Sequence, residues 1–165
     1  MDDEADIQLA PLSWHIDRDE GSMTVSFHGG VDENVNLDDL AEELAGEVTF
    51  DLRGVTFINS CGVREWVNLM RSLTRVRTLA FTHCSTAVVA QLNLVFNFRG
   101  NAEVRSVYVP YYCHACDSEC SCLHEIEGKS LDQVLQSLPR LCDSCGAEME
   151  CDELPERYFA FLMVS

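Results

Sequence analysis

The chain has 165 residues, 47% of them hydrophobic, and a formal net charge of −17. That length fits one ordinary domain plus a small satellite, and the apolar share is that of a packed protein. Apolar runs are no longer than a strand, which excludes a bilayer-spanning helix, and the start Met1-Asp2-Asp3-Glu4 is acidic where a secretory signal is basic, so a cytoplasmic, non-membrane protein is expected.

Residues 1–12 read as an acidic tail. Strand character follows at 14–17 and 23–28, where Met23, Val25 and Phe27 alternate with polar residues, and Asp19-Glu20-Gly21-Ser22 makes the turn between them. Asn36 reads as the N-cap of a helix carrying Leu37, Leu40, Ala41 and Leu44, stopped by Gly46. Val48, Phe50 and Leu52 alternate again, and the apolar run continues to Ile58. Asn59-Ser60-Cys61-Gly62 then opens an amphipathic helix with Val63, Trp66, Val67, Met70 and Leu73 on its buried face. A strand is expected at 78–82, a helix at 86–96, and a last strand through Val104, Val107 and Val109, ended by Pro110. The order β-β-α-β-α-β-α-β implies an α/β fold, a mixed and mostly parallel sheet covered by helices. No GxxxxGK[ST] or GxGxxG follows any strand, so no phosphate-cradling loop is expected.

The strongest motif comes next. Cys113-His-Ala-Cys116 and Cys142-Asp-Ser-Cys145 are two CxxC pairs at the spacing of a structural zinc site. Each pair forms a knuckle offering two thiolates, and two knuckles close a tetrahedral shell with no open position for substrate. The competing reading, two redox CxxC motifs, lacks the usual placement at a helix start. Between the knuckles, Ser130 to Gln133 is a capping box opening a short helix with Leu131, Val134, Leu135 and Leu138, stopped by Pro139. Residues 158–162 read as a closing apolar strand.

Five cysteines remain of nine. An odd remainder in no framework pattern argues against a secreted disulfide scaffold. Cys61 and Cys84 read as small buried hydrophobes, Cys120 and Cys122, beside His124, as spare loop thiols with an alternative ligand pair as the second reading, and Cys151 as part of a ribbon strand. His15, His28 and His83 show no ligand spacing and read as structural.

Within residues 48–73 the segment VTFDLRGVTFINSCGVREWVNLM resembles the core of a STAS domain, the fold of the bacterial anti-sigma factor antagonists. The resemblance covers roughly residues 13–109 and rests on the turn Ile58-Asn59-Ser60-Cys61-Gly62 opening a helix. It departs at Asn59, where the family carries Asp, and at Cys61, where it carries a hydroxyl residue. The resemblance implies that Ser60 is phosphorylated by a partner that is both anti-sigma factor and serine kinase, and that the unphosphorylated form binds this partner. Chemistry alone gives Ser60 a second, compatible role as helix N-cap.

The expected organisation is thus an acidic tail at 1–12, a STAS-like α/β domain at 13–110 and a zinc-ribbon module at 111–165. The expected function is a non-enzymatic protein-interaction module with a structural zinc, since no nucleophile–base pairing stands out. The alternative is a zinc-ribbon protein that binds nucleic acid or a transcription complex. Charge weighs against it: residues 1–50 carry 14 acidic side chains and one basic, and the ribbon region has Lys129, Arg140 and Arg157 as its only cations. Such a surface favours basic protein partners and no nucleic acid. The sequence leaves the oligomeric state open.

Overall fold

A computed structural model describes residues 10–164; of the expected acidic tail, residues 1–9 lie outside the described residues. β1 (Ser13–Asp19) and β2 (Ser22–Val31) form an antiparallel hairpin that turns at Gly21, whose φ of +83° suits glycine. Next come α1 (Asp38–Glu43), β3 (Gly46–Ile58), α2 (Ser60–Ser72), β4 (Val76–Thr82), α3 (Thr86–Leu94) and the two-residue β5 (Glu103–Val104). The sheet order is β1-β2-β3-β4-β5, parallel from β2 onward. The expected mixed, mostly parallel α/β sheet is therefore present. Every crossover steps the same way along the sheet, and right-handed crossovers then put the helices on one face. The opposite face carries polar pairs such as Thr24 beside Thr49 and Ser26 beside Asp51.

Trp66 of α2 is the centre of the helix-side core. Its indole stacks on Phe98 at 5.4 Å and meets Phe27, Phe50 and Phe81 edge-on at 5.4, 5.8 and 6.0 Å. The indole N–H donates to the Phe98 carbonyl at 3.0 Å, so burying this large ring leaves no polar atom unpaired.

The chain then leaves the first sheet without a linker. β5 pairs with β4, Arg105 N–H donates to Phe81 O at 2.8 Å, and β6 (Ser106–Cys113) continues beside Cys84 through a parallel bridge at Val107. His83 takes a left-handed conformation at this corner (φ 52°), and its N–H donates to Ser106 Oγ at 2.7 Å. β6 goes on as an inner strand of a second sheet of order β7-β6-β9-β8, with β7 (Ser118–Glu125), β8 (Arg140–Leu141) and β9 (Glu148–Cys151). Pro110 therefore does not end the strand as expected. Its carbonyl accepts from Asp152 N–H at 2.9 Å, just past the end of β9, so its missing donor falls where the β6–β9 ladder stops.

α4 (Leu131–Gln136) has the expected capping box: Ser130 Oγ accepts from Gln133 N–H, and Gln133 Oε1 accepts from Ser130 N–H. The closing strand expected at 158–162 is absent. In its place are α5 (Pro155–Tyr158) and a 3-10 turn (Ala160–Met163). Pro155 presets the helical φ at the first position, and a short apolar run does not by itself distinguish strand from helix. This segment packs on α3. Asn93 donates from Nδ2 to Tyr158 O at 2.9 Å and accepts from Phe161 N–H at 2.8 Å, and Phe159 is fully buried. Among the described residues, no helix is long and apolar enough to cross a membrane.

Candidate functional site

Two hairpins build the cysteine cluster. The β6–β7 turn carries Cys113 and Cys116, and the β8–β9 turn carries Cys142 and Cys145. Each knuckle is followed by a residue in the left-handed region: Asp117 (φ 54°) after the first and Gly146 (φ 74°) after the second. The second knuckle is closed by Gly146 N–H donating to Cys142 O at 2.9 Å and Cys142 N–H donating to Ala147 O at 2.7 Å. All four Sγ atoms lie within 4.8 Å of one another, close enough to hold one metal ion. Cys113 and Cys145 are 3.5 Å apart, and Cys116 and Cys142 are 3.7 Å apart. Cys113 and Cys142 are buried, while Cys116 and Cys145 face solvent, so the shell is half embedded in the ribbon.

The surroundings favour the thiolate at Cys142. Ser118 Oγ lies 3.1 Å from Cys116 Sγ and 3.4 Å from Cys142 Sγ. The Ser118 hydroxyl, then the Cys145 and Ser144 N–H groups, hold Cys142 down at about 6. Cys145 goes the other way: the Ala147 N–H favours its thiolate, but contact with Cys113 and burial outweigh that and push it up to about 12. One thiol of the set, Cys142, is thus ready to ionise, while Cys145 keeps its proton until a cation compensates it. His114, inside the first knuckle, turns away to Glu150 at 3.0 Å. Sequence reasoning missed Ser118. The signal was its position two residues after the knuckle, at the first place in β7.

Two of the remaining thiols are placed differently from expectation. Cys120 and Cys122 are not loop thiols but alternate residues of β7, and Cys151 ends β9 as read. Tyr111 is the buried middle of this sheet. Its hydroxyl bonds to His124 Nε2 and donates to Leu138 O, both at 2.8 Å. Burial, then the Arg140 and Lys129 charges, pull His124 below its ordinary value, which keeps the imidazole neutral for that bond. Cys84 is fully buried, and burial pushes its thiol up, which makes it an inert packing residue as read; Cys61 is half-buried.

Ser60 stands at the first residue of α2, just past the C-terminal end of the central strand β3, and is exposed. It is not the N-cap. That role belongs to Asn59, whose Oδ1 accepts from Gly62 N–H at 2.8 Å while its Nδ2 donates to Glu33 at 2.7 Å. Gly62 is required here, because a Cβ would meet Val31 O at 2.0 Å; only glycine lets the helix start press against the end of β2. Asn59 N–H donating to Val31 O at 3.1 Å completes the junction. Arg64, one turn on, is exposed and pairs with Glu65 at 3.5 Å.

No protein-family model matches the chain, and no curated protein matches it.

Proposed function

We propose that this protein is a non-enzymatic regulatory interaction module, resembling the anti-sigma factor antagonists, with a structural zinc ion and a switch at Ser60. The observation that carries the reading is the exposed Ser60 hydroxyl on the first turn of a helix capped by its neighbour Asn59. A phosphate there meets the positive end of α2, with Arg64 in reach once it leaves Glu65. The added charge, about −1.5 to −2, changes what can pack on that turn. The STAS-like domain would bind a protein partner, an anti-sigma factor with serine kinase activity, and the acidic surface would steer the encounter toward basic protein.

Zinc suits the cysteine shell. Four sulfurs about 2.3 Å from a tetrahedral zinc stand about 3.8 Å apart, close to the 3.5 and 3.7 Å measured. With all four positions filled by protein, the ion has a structural and not a catalytic part. The alternative, nucleic-acid binding through the ribbon, has no observation in its favour, because acidic side chains outnumber basic ones around the knuckles.

The deciding experiment uses the protein isolated from its host. Phosphosite mapping should find phosphate on Ser60. Ser60→Asp should weaken binding to the co-purifying partner, and Ser60→Ala should keep it. Equal binding by both variants, with no phosphate at Ser60, would leave an ordinary exposed serine and overturn the switch.

A further inference from the structure

Beside the four-cysteine centre, the same sheet holds a second group of sulfurs. Cys120 and Cys122 are alternate residues of β7, so both side chains leave one face of the strand. Their Sγ atoms are 3.6 Å apart, and Cys120 Sγ is 3.8 Å from Met149 Sδ on β9. The two cysteines are half-buried and Met149 is buried, so the group is shielded yet reachable from one side. Three sulfurs bound about 2.3 Å from one metal in a trigonal plane stand about 4 Å apart. The two spacings made by Cys120, 3.6 and 3.8 Å, are close to that value.

Two other uses of the pair fit less well. Alternate residues of a strand have Cα atoms about 6.4–6.8 Å apart, at the upper edge for a disulfide, and their side chains run parallel. Zinc needs further thiolate, imidazole or carboxylate donors. Among the described residues, the four-cysteine centre is the one cluster of three or more such side chains with ligand atoms within 4.8 Å of one another. The third donor for Cys120 and Cys122 is a thioether, a soft and neutral ligand that suits Cu(I). Charge points the same way. The Arg140 guanidinium lies against Cys122 Sγ and 5.5 Å over the Tyr111 ring, and its buried Nε has no hydrogen-bond partner. Two thiolates with a monovalent cation carry one net negative charge, which this guanidinium offsets; two thiolates with a divalent cation carry none.

We propose that Cys120, Cys122 and Met149 form a second metal site, selective for Cu(I), on the ribbon sheet beside the four-cysteine centre. Binding replaces the two thiol protons with one Cu(I) ion and releases both protons to solvent, with no change of oxidation state. The proposal is independent of the switch at Ser60.

The test is an anaerobic titration of the full chain, loaded with one zinc, with Cu(I) in competition with a chromophoric Cu(I) chelator. One Cu(I) per chain should survive desalting while zinc stays at one per chain. Cys122→Ser should weaken Cu(I) binding more than about 100-fold, and Met149→Ile, which keeps apolar bulk in the sheet, about 10-fold or more. Retained zinc in each variant shows that the ribbon is still folded. X-ray absorption of the wild-type copper form needs no variant and should count three sulfurs around copper. Zinc expelled by the first equivalent of Cu(I), or unchanged affinity in the Cys120→Ser/Cys122→Ser double variant, overturns the site. A count of two sulfurs overturns the part given to Met149.

Discussion

The five-stranded sheet packs Phe27, Phe50, Phe81 and Phe98 around Trp66, whereas the four-stranded sheet buries one large ring, Tyr111, and otherwise relies on aliphatic side chains such as Val134, Leu138 and Met149. One region gains its stability from apolar area taken out of water; the other has too little such area and gathers thiols instead. Yet the two are continuous. β5 ends the first sheet, β6 crosses to the second, and the C-terminal turns fold back onto α3. The difference teaches that a region which cannot bury enough apolar area of its own can be held by a metal staple and by the neighbour on which it leans.

The largest expected effect comes from the staple. With the proposed zinc bound, stripping it with a chelator should remove a term of the size seen in small zinc modules, about 10–16 kcal/mol, and Cys113→Ser should remove part of it. Hydrogen exchange should show β6 to β9 losing protection while β2 to β4 keep theirs. Joint collapse of both sheets would erase the contrast and show that the β5–β6 junction makes them one cooperative unit.

The mirror experiment is Trp66→Ala, which empties the centre of the aromatic cluster and should cost about 3–5 kcal/mol. Chemical denaturation followed by far-UV circular dichroism measures it, and bound metal per chain should be unchanged in the folded protein. Asn93→Ala probes the seam. It removes both bonds to the C-terminal segment and leaves the Phe161 N–H and Tyr158 carbonyl to find new partners. A loss of about 1–3 kcal/mol is expected, with faster proteolysis of the segment after Cys151 as the local readout. A neutral result would mean that the buried Phe159, with the Tyr158 hydroxyl on Tyr108 O and Arg99 on Val164 O, holds the segment without Asn93.

The smallest effect separates neighbouring residues. Asn59→Ala should cost about 1 kcal/mol through loss of the cap on Gly62 N–H, while Ser60→Ala, exposed and not capping, should stay within about 0.5 kcal/mol of wild type. The reverse order, measured by thermal unfolding of the two variants, would return the cap to Ser60.

Much of this was legible in the chain because it is local. Alternation in 23–28 and 48–52, the capping box at Ser130 and Gln133, and the two CxxC spacings all lie within a few residues, and each appears in the structure. The fate of Pro110 was not legible. A proline reads as a strand end unless its missing donor faces past the last residue of a neighbouring strand, and β9 lies 38 residues further on. The apolar run at 158–162 is equally silent, since its residues suit strand or helix until α3 offers a surface. At the α2 turn, both Asn59 and Ser60 are good caps by type. The close approach of Gly62 to Val31 sets where the helix begins, and with it which of the two is the cap.

By itself the sequence determined the succession of strands and helices, the absence of a phosphate loop, and four thiols able to meet at one point, because propensity, period and spacing are properties of neighbouring residues. Only the tertiary structure decided that β6 bridges to Cys84 beside the first sheet while pairing in the second, that Asn59 frees Ser60 from capping, and that Cys120, Cys122, Met149 and Arg140 meet on one face. Those contacts join β7, β8 and β9, segments up to 29 residues apart, and nothing short of the folded pairing of those strands brings them together.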